Sequence, residues 1–210
     1  MPIVHGANLS PFVRKVRVAL AEKGIAYELK PLVPFGVSDE FKKKSPLGKI
    51  PCYEDGDFVL PDSSCIAAYL EKAQPQPALY PSDPKLYGRA LWYEEYADSR
   101  MVEIIGTIFF QRVVRPLVMK QDPDEALVKT AIGRLPEIFD YLEREIGGND
   151  YLVGNRFGIA DIATASPLVN LRHAREKIDA KRWPKLAAYA ERIHARPSFK
   201  ALLAEEQIPA

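Results

Sequence analysis

The fold is decided by residues 48–60, which read GKIPCYEDGDFVL. Asp55-Gly56 separates two short apolar runs, and Asp-Gly is a strongly preferred two-residue turn in β-hairpins because both positions must adopt a positive φ. The stretch therefore predicts two antiparallel strands, which are the third and fourth strands of the chain.

Upstream of the hairpin, the sequence predicts a strand, a helix and another strand. Residues 1–6 form a short apolar run, and Ser10-Pro11 supplies an N-cap residue followed by proline at the first helical position. Lys23-Gly24 ends this helix, and residues 27–32 form the second strand. A strand-helix-strand run this short predicts a parallel pair with a right-handed connection.

The first helix has an apolar face made by Val13, Val16 and residues 18–20. Arg14, Lys15 and Glu22 fall outside this face, so we expect them to lie away from the core.

The rest of the first eighty residues completes a known element order. A charged helical segment at 38–44 precedes the hairpin, and Asp62-Ser63 begins a third helix after it. The order βαβαββα predicts a thioredoxin-like α/β domain. Four prolines between residues 74 and 84 exclude a helix or a central strand there. We therefore predict a thioredoxin-like domain at 1–74, a proline-rich linker at 75–84 and an all-α helical bundle at 85–210.

The second domain shows helical periodicity and no strand pattern. Apolar residues recur at spacings of three and four over 85–118 and again over 127–142, which predicts two long amphipathic helices. Residues 158–172 are apolar almost all round, and this predicts a helix in the centre of a bundle. Two further helices are expected at 184–195 and 198–206.

Composition argues against several function classes. The chain has 29 Lys plus Arg and 28 Asp plus Glu, and a net charge of +1 gives no bulk attraction to nucleic acid or anionic lipid. No apolar run approaches the ~18 residues of a membrane span, and residues 1–5 do not begin a secretory signal. Two cysteines allow at most one disulfide, so we expect a cytoplasmic protein without a nucleic-acid or membrane partner.

No side chains are spaced as metal ligands. His5, His173 and His194 form no ligand cluster, so no metal is expected. Cys52 and Cys65 are expected to be small buried residues rather than nucleophiles, and their reactivity stays open.

The turn before the first helix carries the candidate chemistry. Residues 8–13 read NLSPFV, and Ser10 stands where a disulfide-exchanging domain would need a cysteine of its C-x-x-C motif. Dithiol exchange is therefore excluded at this position. A hydroxyl at a helix N-terminus, where free N–H groups and the helix dipole favour an anion, suits a bound thiolate. The alternative is that Ser10 only caps its helix.

Four motifs follow one another along nearly the whole chain: SPFVRKVRVALAEKG at 10–24, SPLGKIP at 45–51, LPDSSCI at 60–66 and GIADI at 158–162. In this order they resemble the cytosolic glutathione S-transferases with a serine-type active site. The last motif is similar to the family's capping motif, in which Asp161 has a structural role. The family usually has Ser or Thr where this chain has Gly158, so half of the reciprocal cap is missing.

The resemblance implies a site for glutathione, which would be a co-substrate. Ser10 would donate a hydrogen bond to its sulfur and stabilise the thiolate. Ile50 would pair its backbone with the cysteinyl part, before Pro51, which is cis in the family. Asp62 and Ser63 would hold the γ-glutamyl end, although both are also plausible caps.

The remaining parts of the site are also implied by resemblance. Lys49 would bind a peptide carboxylate, and the run 42–44 is either a solvated helix face or a contributor to the same subsite. The electrophile would lie against the first long helix of the second domain, where the candidate lining residues are Tyr93, Tyr96, Arg100, Ile104 and Ile108. The resemblance further implies a homodimer and a role in detoxification.

Two kinds of alternative stay open. The same thiolate could serve an isomerase, a dehalogenase or a peroxidase. Residues 16–24 also resemble stringent starvation protein A, so the chain could be a catalytically silent interaction protein of the same fold.

Overall fold

The computed structural model describes residues 1–206 and 208. Its first part contains a four-stranded sheet, made of β1 (Ile3–Gly6), β2 (Glu28–Pro31), β3 (Cys52–Asp55) and β4 (Phe58–Pro61). The spatial order is β2-β1-β3-β4, with β1 parallel to β2 and antiparallel to β3, and β3 antiparallel to β4. The predicted parallel pair and the predicted hairpin are both confirmed.

Three helices join these strands: α1 (Pro11–Glu22), α2 (Asp39–Lys44) and α3 (Ser63–Ala73). Val4 of the sheet, Val13 and Leu20 of α1 and Ile66 of α3 are fully buried between the layers. The thioredoxin-like fold predicted from the order of elements is therefore confirmed.

The charged residues of α1 depart from the prediction. Arg14 and Lys15 are 0% and 1% exposed, so the expectation that they lie away from the core is wrong. Nε and Nη2 of Arg14 each donate to a carboxylate oxygen of Glu206 at 2.7 Å, and Lys15 Nζ donates to Ser64 Oγ at 2.9 Å. Partners distant in the sequence satisfy both cations, which allows a charged helix face to be buried.

The second part is helical. It contains α4 (Pro84–Tyr96), α5 (Val102–Phe109), α6 (Glu125–Ile146), α7 (Ile159–His173) and α8 (Pro184–His194). Two π-helical segments, Ala97–Met101 and Phe110–Met119, flank α5, so helical structure runs without a break from 84 to 119. The two predicted long helices correspond to this run and to α6. Leu127, which the periodicity placed on the buried face, is 48% exposed.

Helix α7 is the centre of the helical unit. Its residues from Ile159 to Leu171 are all buried, as the all-round apolar sequence predicted. The Asp161 carboxylate accepts hydrogen bonds from the N–H groups of Leu152 and Gly158 and from the Tyr189 hydroxyl, at 2.9–3.1 Å. Gly158 has no side chain to return the cap, so Asp161 alone completes the helix start.

The last helix, α9 (Pro197–Glu205), packs against α1. By its contacts it belongs with Met1–Tyr80, while Pro81–Arg196 forms a separate compact unit. The sequence had assigned these final residues to the helical domain. No helix among the described residues is long and apolar enough to cross a membrane.

Candidate active site

Ser10 is the N-cap of α1, at the end of the turn that follows β1. Its backbone is extended, and its Oγ accepts the Val13 N–H at a long 3.4 Å. A hydroxyl has one donor proton and two acceptor sites, and the cap uses only an acceptor site. No acceptor for the Ser10 proton is found among residues 1–206 and 208. The half-buried hydroxyl can therefore donate to a ligand.

Gly6 brings the first turn of α1 close to the end of β1. A Cβ at this position would lie 2.4 Å from Val13 Cγ2, a distance that no side chain tolerates. The absence of a side chain at Gly6 therefore allows the approach that sets the position of Ser10.

The Ile50-Pro51 peptide bond is cis. The Ile50 side chain is buried, and within the described chain its backbone N–H and C=O have no backbone partner. The loop before it is braced, because Ser45 Oγ donates to the Lys49 carbonyl at 2.8 Å and the Gly48 N–H donates to the Ser45 carbonyl at 2.8 Å. An extended peptide could pair with Ile50 in the manner of an added strand.

The cations near this loop differ in what they contact. Lys44 Nζ is 2.5 Å from Glu54 Oε2, which is also 2.9 Å from His5 Nε2. Hydrogen bonds from Lys44 and His5 lower the pKa of Glu54. Lys42 pairs with Asp39 at 3.0 Å. The side chains of Lys43 and Lys49 are exposed and have no ion pair among the described residues, so either could take a carboxylate, and Lys49 is the one beside Ile50.

Asp62 is the N-cap of α3 and has an unusual backbone. Its Oδ1 accepts the N–H groups of Ser64 and Cys65 at 2.9 and 3.0 Å. Its φ of 78° and ψ of 131° lie in a region that costs a non-glycine residue about 1–3 kcal/mol. Oδ2 has no recorded partner in the described part of the chain, so capping and binding of an ammonium group are compatible. Ser63 follows as a buried residue in the first turn.

The sheet register brings Ser10, the Ile50-Pro51 bond and the Asp62-Ser63 pair to the same end of the sheet. His5 of β1 lies opposite Cys52 of β3, and Cys52 lies opposite Pro61 of β4. The turn to Ser10, the Ile50-Pro51 bond and the Asp62-Ser63 pair all adjoin these paired residues. The site residues predicted in the first part of the chain therefore meet at one end of the sheet.

The candidate pocket residues in the helical unit are either buried in its core or paired with other side chains of that unit. Ile104 and Ile108 are fully buried core residues, and the buried Tyr93 donates its hydroxyl proton to Glu145 at 3.0 Å. Arg100 pairs with two glutamates, Glu103 at 2.8 Å and Glu137. Tyr96 packs against Tyr141 with the two rings tilted by 52° and their centroids 4.8 Å apart.

The two candidate tyrosines, Tyr93 and Tyr96, stay neutral. Burial raises the pKa of Tyr93, and it raises the pKa of Tyr96 to about 12. Neither phenol would ionise near neutral pH. The electrophile pocket stays a prediction.

The two cysteines differ from each other. Cys52 is buried, and burial raises the pKa of its thiol to about 11, so it is a neutral thiol at neutral pH. Cys65 is exposed, and the expectation that it is buried is wrong. Helix α3 carries it on the outer side of its first turn, which a residue-type preference alone could not reveal. Among residues 1–206 and 208, no group of three or more His, Cys, Asp or Glu side chains could hold a metal ion.

Sequence reasoning missed Asn8 and Arg17. Arg17 is 4% exposed, and its Nη1 donates to Asn8 Oδ1 at 2.9 Å, two residues before Ser10. A hint was present in the helix geometry, because helical side chains point back toward the N-terminus.

Two family models match the chain: the glutathione S-transferase N-terminal domain over residues 4–78 and the C-terminal domain over residues 107–197. A glutathione S-transferase of Triticum aestivum is 32% identical over 98% of this chain and 94% of its own length. A stringent starvation protein A homolog of Haemophilus ducreyi is 26% identical over 90% of this chain and 83% of its own. The solved glutathione S-transferase of Methylobacterium radiotolerans, in complex with glutathione sulfonate, is 29% identical with a TM-score of 0.81, and the match covers 100% of this chain and 97% of that one. The chain belongs to the glutathione S-transferase family.

Proposed function

We propose that the Ser10 hydroxyl donates a hydrogen bond to the sulfur of bound glutathione and stabilises the thiolate for attack on a small hydrophobic electrophile. The observation that carries this proposal is the position of Ser10, whose cap uses an acceptor site and leaves the proton available beside the N-terminus of α1. The proposal is limited to the class of electrophile, since most of the residues expected to line its pocket are buried in the core of the helical unit.

The energies are of the right size. A free thiol has a pKa of about 8.5, and lowering it by ~2 requires about 2.7 kcal/mol of differential stabilisation. A charge-assisted hydrogen bond supplies about 1.5–3 kcal/mol, and the helix terminus adds about 0.3–1 kcal/mol. Ser10 and the first turn of α1 together supply about 1.8–4 kcal/mol, a range that includes the required stabilisation.

The rest of the sheet edge fits the other parts of glutathione. The Ile50 backbone would pair with the cysteinyl residue, and Asp62 Oδ2 would pair with the γ-glutamyl ammonium. Ser63, through its hydroxyl and its backbone N–H, would take the γ-glutamyl carboxylate, because the next two amides of α3 donate to Asp62. The exposed Lys49 would take the glycyl carboxylate. This arrangement would set a hydrogen-bonding group or an opposite charge against the cysteinyl backbone, the ammonium and both carboxylates of the tripeptide.

Ser10→Ala tests the proposal. We expect the pKa of the enzyme-bound thiol, followed by the ultraviolet absorbance of the thiolate against pH, to rise by about 1–2, because the hydrogen bond is lost while the contribution of the helix terminus remains. Glutathione affinity should change little, because the groups at Ile50, Asp62 and Lys49 remain. Ser38→Ala is the matched control, since Ser38 caps α2 through the Phe41 N–H at 3.2 Å and lies outside the sheet edge. An unchanged thiol pKa in the Ser10 variant would transfer the role to another donor.

A second candidate function is an interaction protein that resembles stringent starvation protein A and has no catalytic role. The similarity to the Haemophilus ducreyi relative favours it. Retention on immobilised glutathione together with conjugation of a generic aryl halide supports the enzyme. Failure in both assays by a folded protein would favour the interaction protein. We also propose a two-fold homodimer, which sedimentation would test.

A further inference from the structure

We propose that Arg17 is a positioning residue for the thiolate site, because its buried guanidinium holds, through Asn8, the turn from which Ser10 donates its hydrogen bond. This inference rests on the role proposed above for Ser10. It assigns a task to a buried cation that makes no contact with Ser10 itself.

Three hydrogen bonds fix the guanidinium in place. Nη1 donates to Asn8 Oδ1 at 2.9 Å, Nε donates to the Tyr27 hydroxyl at 2.5 Å, and Nη2 donates to Glu205 Oε2 at 2.6 Å. The guanidinium is planar and its donors form a rigid fork, so two of these bonds determine where the third one points. Tyr27 lies just before β2, and Glu205 is the last residue of α9. Arg17 is therefore oriented by residues next to or within two other elements of the unit.

The third bond reaches the turn that carries Ser10. Because a guanidinium only donates, Asn8 must turn its carbonyl oxygen toward Arg17, which fixes the orientation of that side chain. The Ser10 N–H donates to the Ala7 carbonyl at 3.0 Å, and this bond closes the turn around Asn8. The bonds that hold the segment 7–10 therefore include this backbone bond, the bond from the Arg14 N–H to the Ser10 carbonyl at 2.9 Å and, at Asn8, the bond from Arg17. Since a misplacement of about 1 Å can cost ~100-fold in rate, loss of the Asn8 contact should weaken the bond to sulfur.

Arg17 could instead act through its charge, and its neighbours separate the two possibilities. If charge acts, removal of the Glu205 carboxylate leaves Arg17 uncompensated and lowers the thiol pKa, while removal of the Asn8 side chain changes nothing. If position acts, the Asn8 variant raises the thiol pKa, and Glu205→Gln leaves it unchanged because the amide oxygen of glutamine still accepts the Nη2 proton. The proposal commits to the second pattern.

The experiment compares Asn8→Ala with Glu205→Gln in the full-length protein, using the thiolate absorbance of bound glutathione against pH. We expect Asn8→Ala to raise the thiol pKa by about 1, a tenfold loss of thiolate below that pKa. The kcat for aryl-halide conjugation at neutral pH should fall, while KM for glutathione should stay within about twofold, because the remaining tripeptide contacts are intact. Glu205→Gln should leave the pKa unchanged. Arg17→Leu should raise it as Asn8→Ala does, and the double variant should add nothing further.

Three results would overturn the inference. One is an unchanged thiol pKa in Asn8→Ala when Ser10→Ala raises it. Another is additive effects of Asn8→Ala and Arg17→Leu, and the third is a lowered pKa in Glu205→Gln. If Arg17→Leu does not fold, the comparison of Asn8→Ala with Glu205→Gln decides alone. An unchanged pKa in Ser10→Ala would be the failure of the proposed function instead.

Discussion

At the scale of single residues, Asp62 shows how one side chain can combine two tasks. Its Oδ1 caps α3 through two backbone N–H groups, while Oδ2 has no recorded partner within the described residues. Its positive φ costs free energy that glycine would not pay. This strained backbone supports the role proposed for the side chain, since the cap alone could be made by an unstrained residue.

Asp62→Asn separates the cap from the charge. Asparagine caps a helix about as well as aspartate, so the free energy of unfolding should change by less than ~0.5 kcal/mol. The pairing with the γ-glutamyl ammonium would lose its charge, and we expect the Kd for glutathione to rise about tenfold, equivalent to about 1.4 kcal/mol. Calorimetric titration with glutathione and urea unfolding measure the two quantities.

Asp83→Asn is the control for this substitution. Asp83 caps α4 with the same pattern, accepting the N–H groups of Lys85 and Leu86 at 3.0 Å each. It should leave the Kd for glutathione unchanged. Equal effects of the two variants on glutathione binding would show that Asp62 acts only as a cap.

At the scale of elements, the strands and helices followed from local patterns and the burial of charge did not. The Asp55-Gly56 pair predicted the hairpin, and Ser10-Pro11 predicted the start of α1, because turn and cap chemistry depend on adjacent residues. The turn itself is one residue later than predicted, at Gly56 and Asp57, since Asp55 pairs with Phe58. The burial of Arg14 depends on Glu206, which is 192 residues away. No periodicity contains that information, so the predicted solvent face of α1 was wrong.

The proline-rich stretch gives a second example of the same limit. Its prolines predicted a connecting segment between the two domains, but they did not predict which contacts fix the conformation of that segment. Lys23 Nζ donates to Glu71 at 2.7 Å and to the carbonyls of Gln74 and Pro77 at 2.8 and 3.0 Å. A buried cation at the end of α1 thus organises a segment fifty residues later. Part of the candidate site could be predicted from the sequence, because Ile50, Asp62 and Ser10 stand at the ends of elements. Arg17 could not, because its hydrogen bonds join it to residues of other elements.

Helix α7 gives a prediction about pH. Burial raises the pKa of Asp161 from 3.8 to about 6, against the hydrogen bonds from Leu152, Tyr189 and Gly158 that lower it. The folded protein therefore binds this proton more tightly than the unfolded chain. The contribution of Asp161 to stability is greatest below pH 4 and declines as the pH rises toward about 6, by about 2 kcal/mol between pH 4 and 7.

Asp161→Asn tests this prediction, because the amide does not titrate. The difference in unfolding free energy between the wild type and the variant should shrink by about 2 kcal/mol from pH 4 to pH 7 in urea titrations. The lost acceptor for the Gly158 N–H adds an offset that does not depend on pH. A difference that stays constant or grows with pH would contradict the raised pKa. If the variant does not fold, carbon NMR of the Asp161 carboxyl measures the pKa in the wild type.

At the scale of the whole molecule, the thioredoxin-like unit is assembled from both ends of the sequence. Met1–Tyr80 supplies the sheet and three helices, and α9 packs against α1 from the other end of the chain. Two adjacent glutamates make the connection: Glu205 pairs with Arg17 at 2.6 Å and Glu206 pairs with Arg14 at 2.7 Å. The two arginines of α1, the helix that begins at the proposed thiolate site, therefore receive these carboxylate partners only when the last helix is in place.

The two glutamates should contribute very differently to stability. The side chains of Arg14 and Glu206 are both fully buried, whereas the Glu205 side chain is 48% exposed. Glu206→Gln would remove the buried carboxylate that both Nε and Nη2 of Arg14 contact and would place an amide group against the guanidinium, at a cost of about 3–5 kcal/mol. Glu205→Gln should cost under ~1 kcal/mol, because water screens a half-exposed pair. Urea unfolding of the two variants measures both values, provided that the unfolding free energy depends on urea concentration with the same slope in each. Equal losses would show that burial does not determine how much each ion pair stabilises the packing of α9.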